Sequence, residues 1–222
     1  MTPAAFVEGL ASLRFPDVFN PYADACPDHD VAEAPSIRRR NLTLVVEAAI
    51  SGGVDAMWVA RDLGYRGGRR TGLALTDDVH LASHAGLYGR LPLERATRGP
   101  AVAERTAAIV WRVLAGMGRP VFLWNVFPLH PHGASSALTN RAHTRKEREA
   151  ASHLMRWLLT ELRPRTLVAI GRDAQAAVAQ LGVGAEAVRH PSYGGQGEFL
   201  TQMSALYGPC TRAAPATQLT LC

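Results

Sequence analysis

A chain of 222 residues, 47% of them hydrophobic, is long enough to bury a sizeable core and fits one α/β domain. Its cysteines, Cys26, Cys210 and Cys222, are odd in number and form no CxxC pair. That excludes a zinc ribbon and a four-cysteine iron–sulfur site within one chain, and the reading is of free thiols in a reducing cytoplasm with no cofactor. The net charge of +5 favours an anionic partner, and because Lys146 is the only lysine, Schiff-base chemistry has one candidate.

No basic region followed by a long apolar run opens the chain, so no secretory signal is expected. No stretch approaches the roughly 20 apolar residues that span a bilayer. The expectation is a cytoplasmic monomer with no membrane partner.

Residues 1–35 mix apolar anchors, Phe6 and Leu10 among them, with Pro16, Pro21, Pro27 and Pro35. They predict a short helix and then an irregular wrap over the core. Ser36 is placed to cap a helix over 37–51, whose Leu42, Val45, Val46 and Ala49 share one face. Arg38, Arg39 and Arg40 read as a solvated surface more readily than as a DNA contact. Gly52 and Gly53 end that helix, and Asp55–Ala60 is a buried strand.

The following loop, 61–72, carries Gly64, Gly67, Gly68 and Gly72 with Arg61, Arg66, Arg69 and Arg70. Glycines permit close backbone approach to a ligand and arginines suit phosphate, although a surface turn explains the composition equally. His80 and His84 stand at a metal-binding spacing, yet no acidic HExxH pattern accompanies them, so no metal is expected.

A helix is predicted over 104–117 and a second strand over 121–126. Asn125 and a loop containing His130, His132 and Asn140 follow. Thr144 with Glu147 three residues on reads as a capping box, and Arg163-Pro164 stops the helix near Leu162. A third strand (166–170), a helix (171–181), a short fourth strand (186–189), the turn from His190 to Gly195 and a last helix (198–206) complete the pattern. The tail, 209–222, is expected to be loosely held. Strands alternating with helices imply a mostly parallel sheet covered on both faces, with ligands bound where loops leave its carboxyl edge. Asp62, Asn125 and His190 each leave a strand at that edge.

Three segments in order resemble the uracil-DNA glycosylase superfamily, especially its bacterial family 4-like branch. WVARDLGYRG…TGLALTDD resembles the first motif. WNVFPLHPHG…NRAHTRKE resembles the strand ending in Asn and the Asn-Arg-x-Pro-Thr-x-x-Glu helix start. RHPSYGG resembles the His-Pro-Ser motif, and TLVAIGRDAQAAV between them also matches. The likeness spans about residues 36–207. It implies a three-layer α/β/α fold with a four-stranded parallel sheet, and an enzyme that flips uracil from DNA and cleaves its N-glycosidic bond.

Carried over position by position, the resemblance gives Asn125 the reading of the uracil edge. His190 takes the place near uracil O2, and Asp62 that of the carboxylate that positions water and favours the sugar cation. Tyr193 matches the wedge position, with a core aromatic as the alternative. Ser192, Arg66, Arg69, Arg70, Arg141 and Arg189 are candidates to pin phosphates. The chain departs from the family at Ala60, Arg61 and Leu63 in the first motif, and at Leu75 in place of the Phe that stacks on uracil, so that Tyr65 is an alternative stacking partner. It also lacks the family 4 cysteines. Glu104 is a second carboxylate candidate, although its place at a helix start fits plain capping. The leading expectation is a monofunctional glycosylase that initiates base excision repair. The alternatives are a non-catalytic uracil- or damage-sensing DNA-binding member, and a hydrolase of free nucleosides.

Overall fold

The computed structural model describes residues 1–208, so the expectation of a loosely held tail from 209 to 222 lies outside the described residues. Strands β2 (Ala56–Asp62), β3 (Val121–Phe127), β5 (Thr166–Ile170) and β6 (Glu186–Val188) form a four-stranded sheet in the order β3-β2-β5-β6, parallel throughout. Two very short strands, β1 (Val18–Phe19) and β4 (His130–Pro131), pair antiparallel and tie the N-terminal wrap to the loop after β3.

Alternate residues of each strand serve opposite faces, as the period of two requires. Met57, Val59, Trp124, Val126 and Ala169 pack with helices α1 (Pro3–Ser12), α2 (Ala34–Gly52), α6 (Arg145–Leu162) and α7 (Arg172–Gln180). Trp58, Ala60, Leu123, Val168 and Ile170 pack with α5 (Arg105–Leu114) and α8 (Gln196–Tyr207). The result is the expected three-layer α/β/α arrangement. Each fully buried Val, Leu or Phe contributes about 1.5–3 kcal/mol, so this two-sided core is the main source of stability.

Between β2 and α5 the chain makes two short helices, α3 (Gly68–Thr71) and α4 (Leu81–Gly86). The Thr144–Glu147 capping box is present, and α6 ends at Arg163 in the left-handed region before Pro164.

Two local expectations are overturned. Ser36 does not cap α2; the helix begins at Ala34, three residues before its expected start, and the Ser36 hydroxyl donates to the Glu33 carbonyl. Arg38 is not solvated. It is fully buried, pairs with Asp30 and donates from Nε to the Arg70 carbonyl at 2.8 Å. A buried guanidinium is tolerated because each side of its fork meets an acceptor.

Candidate active site

A cavity of about 690 Å³ opens at the carboxyl edge of β2, β5 and β6. Asp62, Leu63, Leu75, Glu104, Ile170 and His190 line it. The three segments expected at one edge, after β2, after β3 and after β6, all reach the lining, the second of them through Asn140, Arg141 and Ala142.

Asp62 is the last residue of β2, which runs two residues beyond the expected strand. Its carboxylate is held on both oxygens: His143 Nδ1 bonds Oδ1, and Arg61 Nε donates to Oδ2 at 2.7 Å. Arg61 reaches on to Asp173 at 2.9 Å. His143 occupies the position where the family motif carries Pro. Its imidazole is buried at only 5% exposure and packs against Phe127. Neither His143 nor Asp173 emerged from the sequence. Asp173 had a usable signal, since it follows β5 at the same edge; His143 had none, because its partner lies 81 positions away.

His190 follows β6, and the backbone makes room for it. A Cβ on Gly195 would stand 2.2 Å from the His190 carbonyl oxygen, and one on Gly171 3.1 Å from the His190 Cβ. His190 Nδ1 accepts from the Ser192 backbone N–H at 3.2 Å, and the Ser192 hydroxyl lies 2.7 Å from the same nitrogen. This assigns the proton of the neutral ring to Nε2. Burial first, then the charges of Arg61 and Arg189, lower the His190 pKa to about 4. The ring is therefore neutral at physiological pH and offers one N–H donor.

Asn125 pairs in register with Ala60, which lines the cavity. Its Nδ2 donates to the Asp62 carbonyl at 3.1 Å, while Oδ1 is buried with no hydrogen-bond partner. The side chain lies just outside the cavity lining. Leu75 is on the lining, in the left-handed region at φ 54°, with its carbonyl held by Trp111 Nε1. Tyr65 is not on the lining. Its backbone N–H donates to Asn140 Oδ1, and its ring lies beneath the Arg66 guanidinium, so the expected stacking place is not where the structure puts it.

Glu104 contradicts its expected capping role: its side chain makes no cap hydrogen bond. The carboxyl instead presses against the loop after β2. A Cβ on Gly64 would stand 2.3 Å from Oε1, and one on Gly67 2.2 Å from Oε2. These glycines make room for a side chain of the protein itself, where sequence reasoning proposed a ligand. Burial first, and the neighbouring Asp77 second, raise the Glu104 pKa to about 7.

The arginines divide. Arg69 is 2% exposed, stacks 3.7 Å from the Phe19 ring centre and bonds His130 Nδ1. Arg70 is 6% exposed and donates to Asp78 at 2.7 Å. Arg141 binds Glu147 in a fork and donates to the carbonyls of His132, Pro16 and Asp17. All three were expected at phosphates. Arg69 and Arg70 are buried in the fold, and Arg141, although it lines the cavity and is 27% exposed, is committed to partners within the chain, because a guanidinium has more donors than any other side chain for tying loops together. At the surface stand Arg66 and Arg172, with Arg189 half-buried near Ser192; of these, Arg172 was missed although it begins α7 at the cavity mouth. Tyr193 is 96% exposed at φ 49°, which rules out the core-aromatic alternative.

Among the described residues no group of three or more His, Cys, Asp or Glu gathers as a metal site, and His80 and His84 bind Asp77 and Thr76. No helix among them is long and apolar enough to cross a membrane.

No curated protein sequence matches the chain. Among solved structures, the crystal structure of wild-type Pedobacter heparinus SMUG2 is similar in fold, with a TM-score of 0.60. The alignment covers 93% of this chain and 97% of that one at 13% identity. The model of the uracil DNA glycosylase superfamily matches residues 69–208, a span that begins after Asp62 and contains Asn125, His143 and His190. That match covers well over half of the sequence, and with the sheet order and the placement of the cavity it establishes that the chain belongs to the uracil DNA glycosylase superfamily.

Proposed function

We propose that the protein is a monofunctional DNA glycosylase that extrudes uracil from DNA, hydrolyses its N-glycosidic bond and leaves an abasic site. The observation that carries this reading is His190: a neutral imidazole whose tautomer leaves Nε2–H as a donor at the cavity. Cleavage moves the glycosidic electron pair onto the base, and negative charge grows at O2. A fixed neutral donor stabilises that charge more in the transition state than in the bound substrate.

Asp62 faces the opposite need. The sugar develops oxocarbenium character, and an ionised carboxylate favours it and orients the water that adds to C1′. The grip of His143 and Arg61 fixes its position. Asn125 contributes a buried Oδ1 without a partner, an acceptor suited to the ring N3–H. Extruding the base costs a few kcal/mol. Tyr193, exposed beside His190, is suited to filling the vacated stack, and Arg66, Arg172, Arg189 and Ser192 to holding phosphates. Lys146 falls within the second motif but stands in the first turn of α6 and does not line the cavity, and it has no role in base release.

A labelled oligonucleotide carrying one uracil, single-stranded or paired with A or G, tests the reading when abasic sites are revealed with alkali. Cleavage by the native protein that is lost in Asp62→Asn and His190→Ala supports it. Tight uracil-dependent binding without release favours instead a damage sensor. One observation speaks for that second reading: both Asp62 oxygens already have partners.

A further inference from the structure

Three carboxylates line the cavity, and two of them are engaged. Asp62 is held by His143 and Arg61, and Asp173 by Arg61. Glu104 is different: among the described residues its carboxyl has no hydrogen-bond partner, and neither of its oxygens reaches a cation within ion-pair distance. The backbone holds it there. The Glu104 N–H donates to Asp77 Oδ2 at 2.6 Å, and Gly64 and Gly67 press against the carboxyl from the other side.

The base pocket also needs a donor. A base such as uracil presents a carbonyl oxygen next to its ring N–H. Asn125 can accept from the N–H, but one of its own N–H groups already donates to the Asp62 carbonyl. We propose that Glu104, as the neutral acid, donates a hydrogen bond to the carbonyl oxygen of the extruded base, which makes it a specificity-determining residue for oxo-bases. This rests on the reading of the cavity as the base pocket.

The consequence is a limit in pH. A neutral carboxyl is a donor; an ionised one is only an acceptor and repels a carbonyl. The groups around Glu104 favour the neutral form. Asp77, buried, lies behind its backbone with His80 on its other oxygen. The loop after β2 presents glycine backbone, and Arg69 and Arg70 of α3 turn away to His130 and Asp78. Across the cavity Arg61 is tied to Asp62 and Asp173, and His190 is neutral. The raised pKa of Glu104 agrees with this geometry.

The test is equilibrium binding to an oligonucleotide carrying 2′-fluoro-2′-deoxyuridine, whose fluorine disfavours the sugar cation and blocks cleavage. The reference is the same strand with a tetrahydrofuran abasic analogue. The affinity ratio of the two isolates contacts to the base. For the native protein the ratio should fall about tenfold or more between pH 6 and pH 9 as the donor is lost. Glu104→Gln keeps a donor that does not titrate, so its ratio should be flat and within about threefold of the native value at pH 6. Glu104→Ala should be low and flat. A flat native profile, a Glu104→Gln profile that falls like the native one, or a Glu104→Ala ratio equal to the native value at pH 6 would each overturn the proposal. Should Glu104→Ala fail to fold, the near-isosteric Gln profile decides. A native protein with no preference for uracil over the abasic analogue at any pH removes the proposed function and this inference together. A uracil preference indifferent to Glu104 removes only the inference.

Discussion

The loop after β2 and the loop after β6 are built from the same vocabulary of glycine and arginine, and they do opposite things. The first, from Arg61 to Gly72, is closed on itself apart from the residues that line the cavity and the exposed Arg66. Its glycines are packed by Glu104 and by Leu63, and Arg69 and Arg70 are buried in pairs with His130 and Asp78. The second, from Arg189 to Gly195, is open. Its imidazole faces a cavity, Tyr193 projects into solvent, and its glycines shape the backbone around His190. Composition cannot separate them. What separates them is whether another part of the chain supplies partners: Asp78, His130 and Phe19 of the N-terminal wrap enclose the first loop, and nothing among the described residues covers the tip of the second.

The sharpest way to break this contrast is Arg70→Ala. If the loop after β2 is structural, removing one partner of the buried Arg70–Asp78 pair should destabilise the fold by about 3–5 kcal/mol in denaturant titration, with the salt dependence of DNA binding unchanged. A normal stability with a shallower salt slope would return Arg70 to phosphate binding. Next comes His190→Ala, which should lower single-turnover base release by about a hundred- to a thousandfold while changing stability little. A loss under tenfold would separate His190 from the developing charge.

Glu104→Gln sharpens the comparison through stability. The folded carboxyl pKa, about 7, lies above its unfolded value, so the native state holds the proton more tightly. The associated stability is full below about pH 4.5 and is lost as pH rises through 7, a change of up to roughly 3 kcal/mol. The variant should therefore melt higher than the native protein at pH 8 and equally at pH 4. Equal melting at both would mean the carboxyl ionises freely.

Tyr193→Ala should leave the melting temperature unmoved, because the ring is 96% exposed. On duplex substrate it should slow release by about tenfold, and less on single strands, where extrusion is already cheap. Smallest of all, Arg66→Ala and Arg172→Ala should each lower the slope of log affinity against log salt by about one, with no change in stability.

Much of the architecture was legible in the sequence. The apolar runs around Trp58, Leu123 and Val168 are too short for helices and are separated by helical periodicity, which leaves a parallel sheet as the arrangement that buries both faces. His190 and Asp62 were legible as well, since a polar residue that ends a buried strand in such a sheet stands at its carboxyl edge. The pairings were not. His143 and Asp62 are 81 positions apart, and Arg38 and Arg70 meet across 32. No local pattern encodes such contacts. Tyr65 was misplaced for a related reason: an aromatic beside a glycine loop can turn either way, and Arg66 and Asn140 decided it.

By itself, then, the sequence determined the layer architecture, the order of strands and helices along the chain and the place of Asp62 and His190 at one edge of the sheet, because these follow from periodicity and local backbone preference; Asn125, expected at the same edge, lies within β3. The tertiary structure alone decided which charges are free to act. A guanidinium or a carboxyl has the same local signal whether it meets solvent, a phosphate or a buried partner. Its role is set by the groups that close packing brings to it: acceptors for Arg69, Arg70 and Arg141, a double grip for Asp62, and for Glu104 a cavity wall with no partner at all.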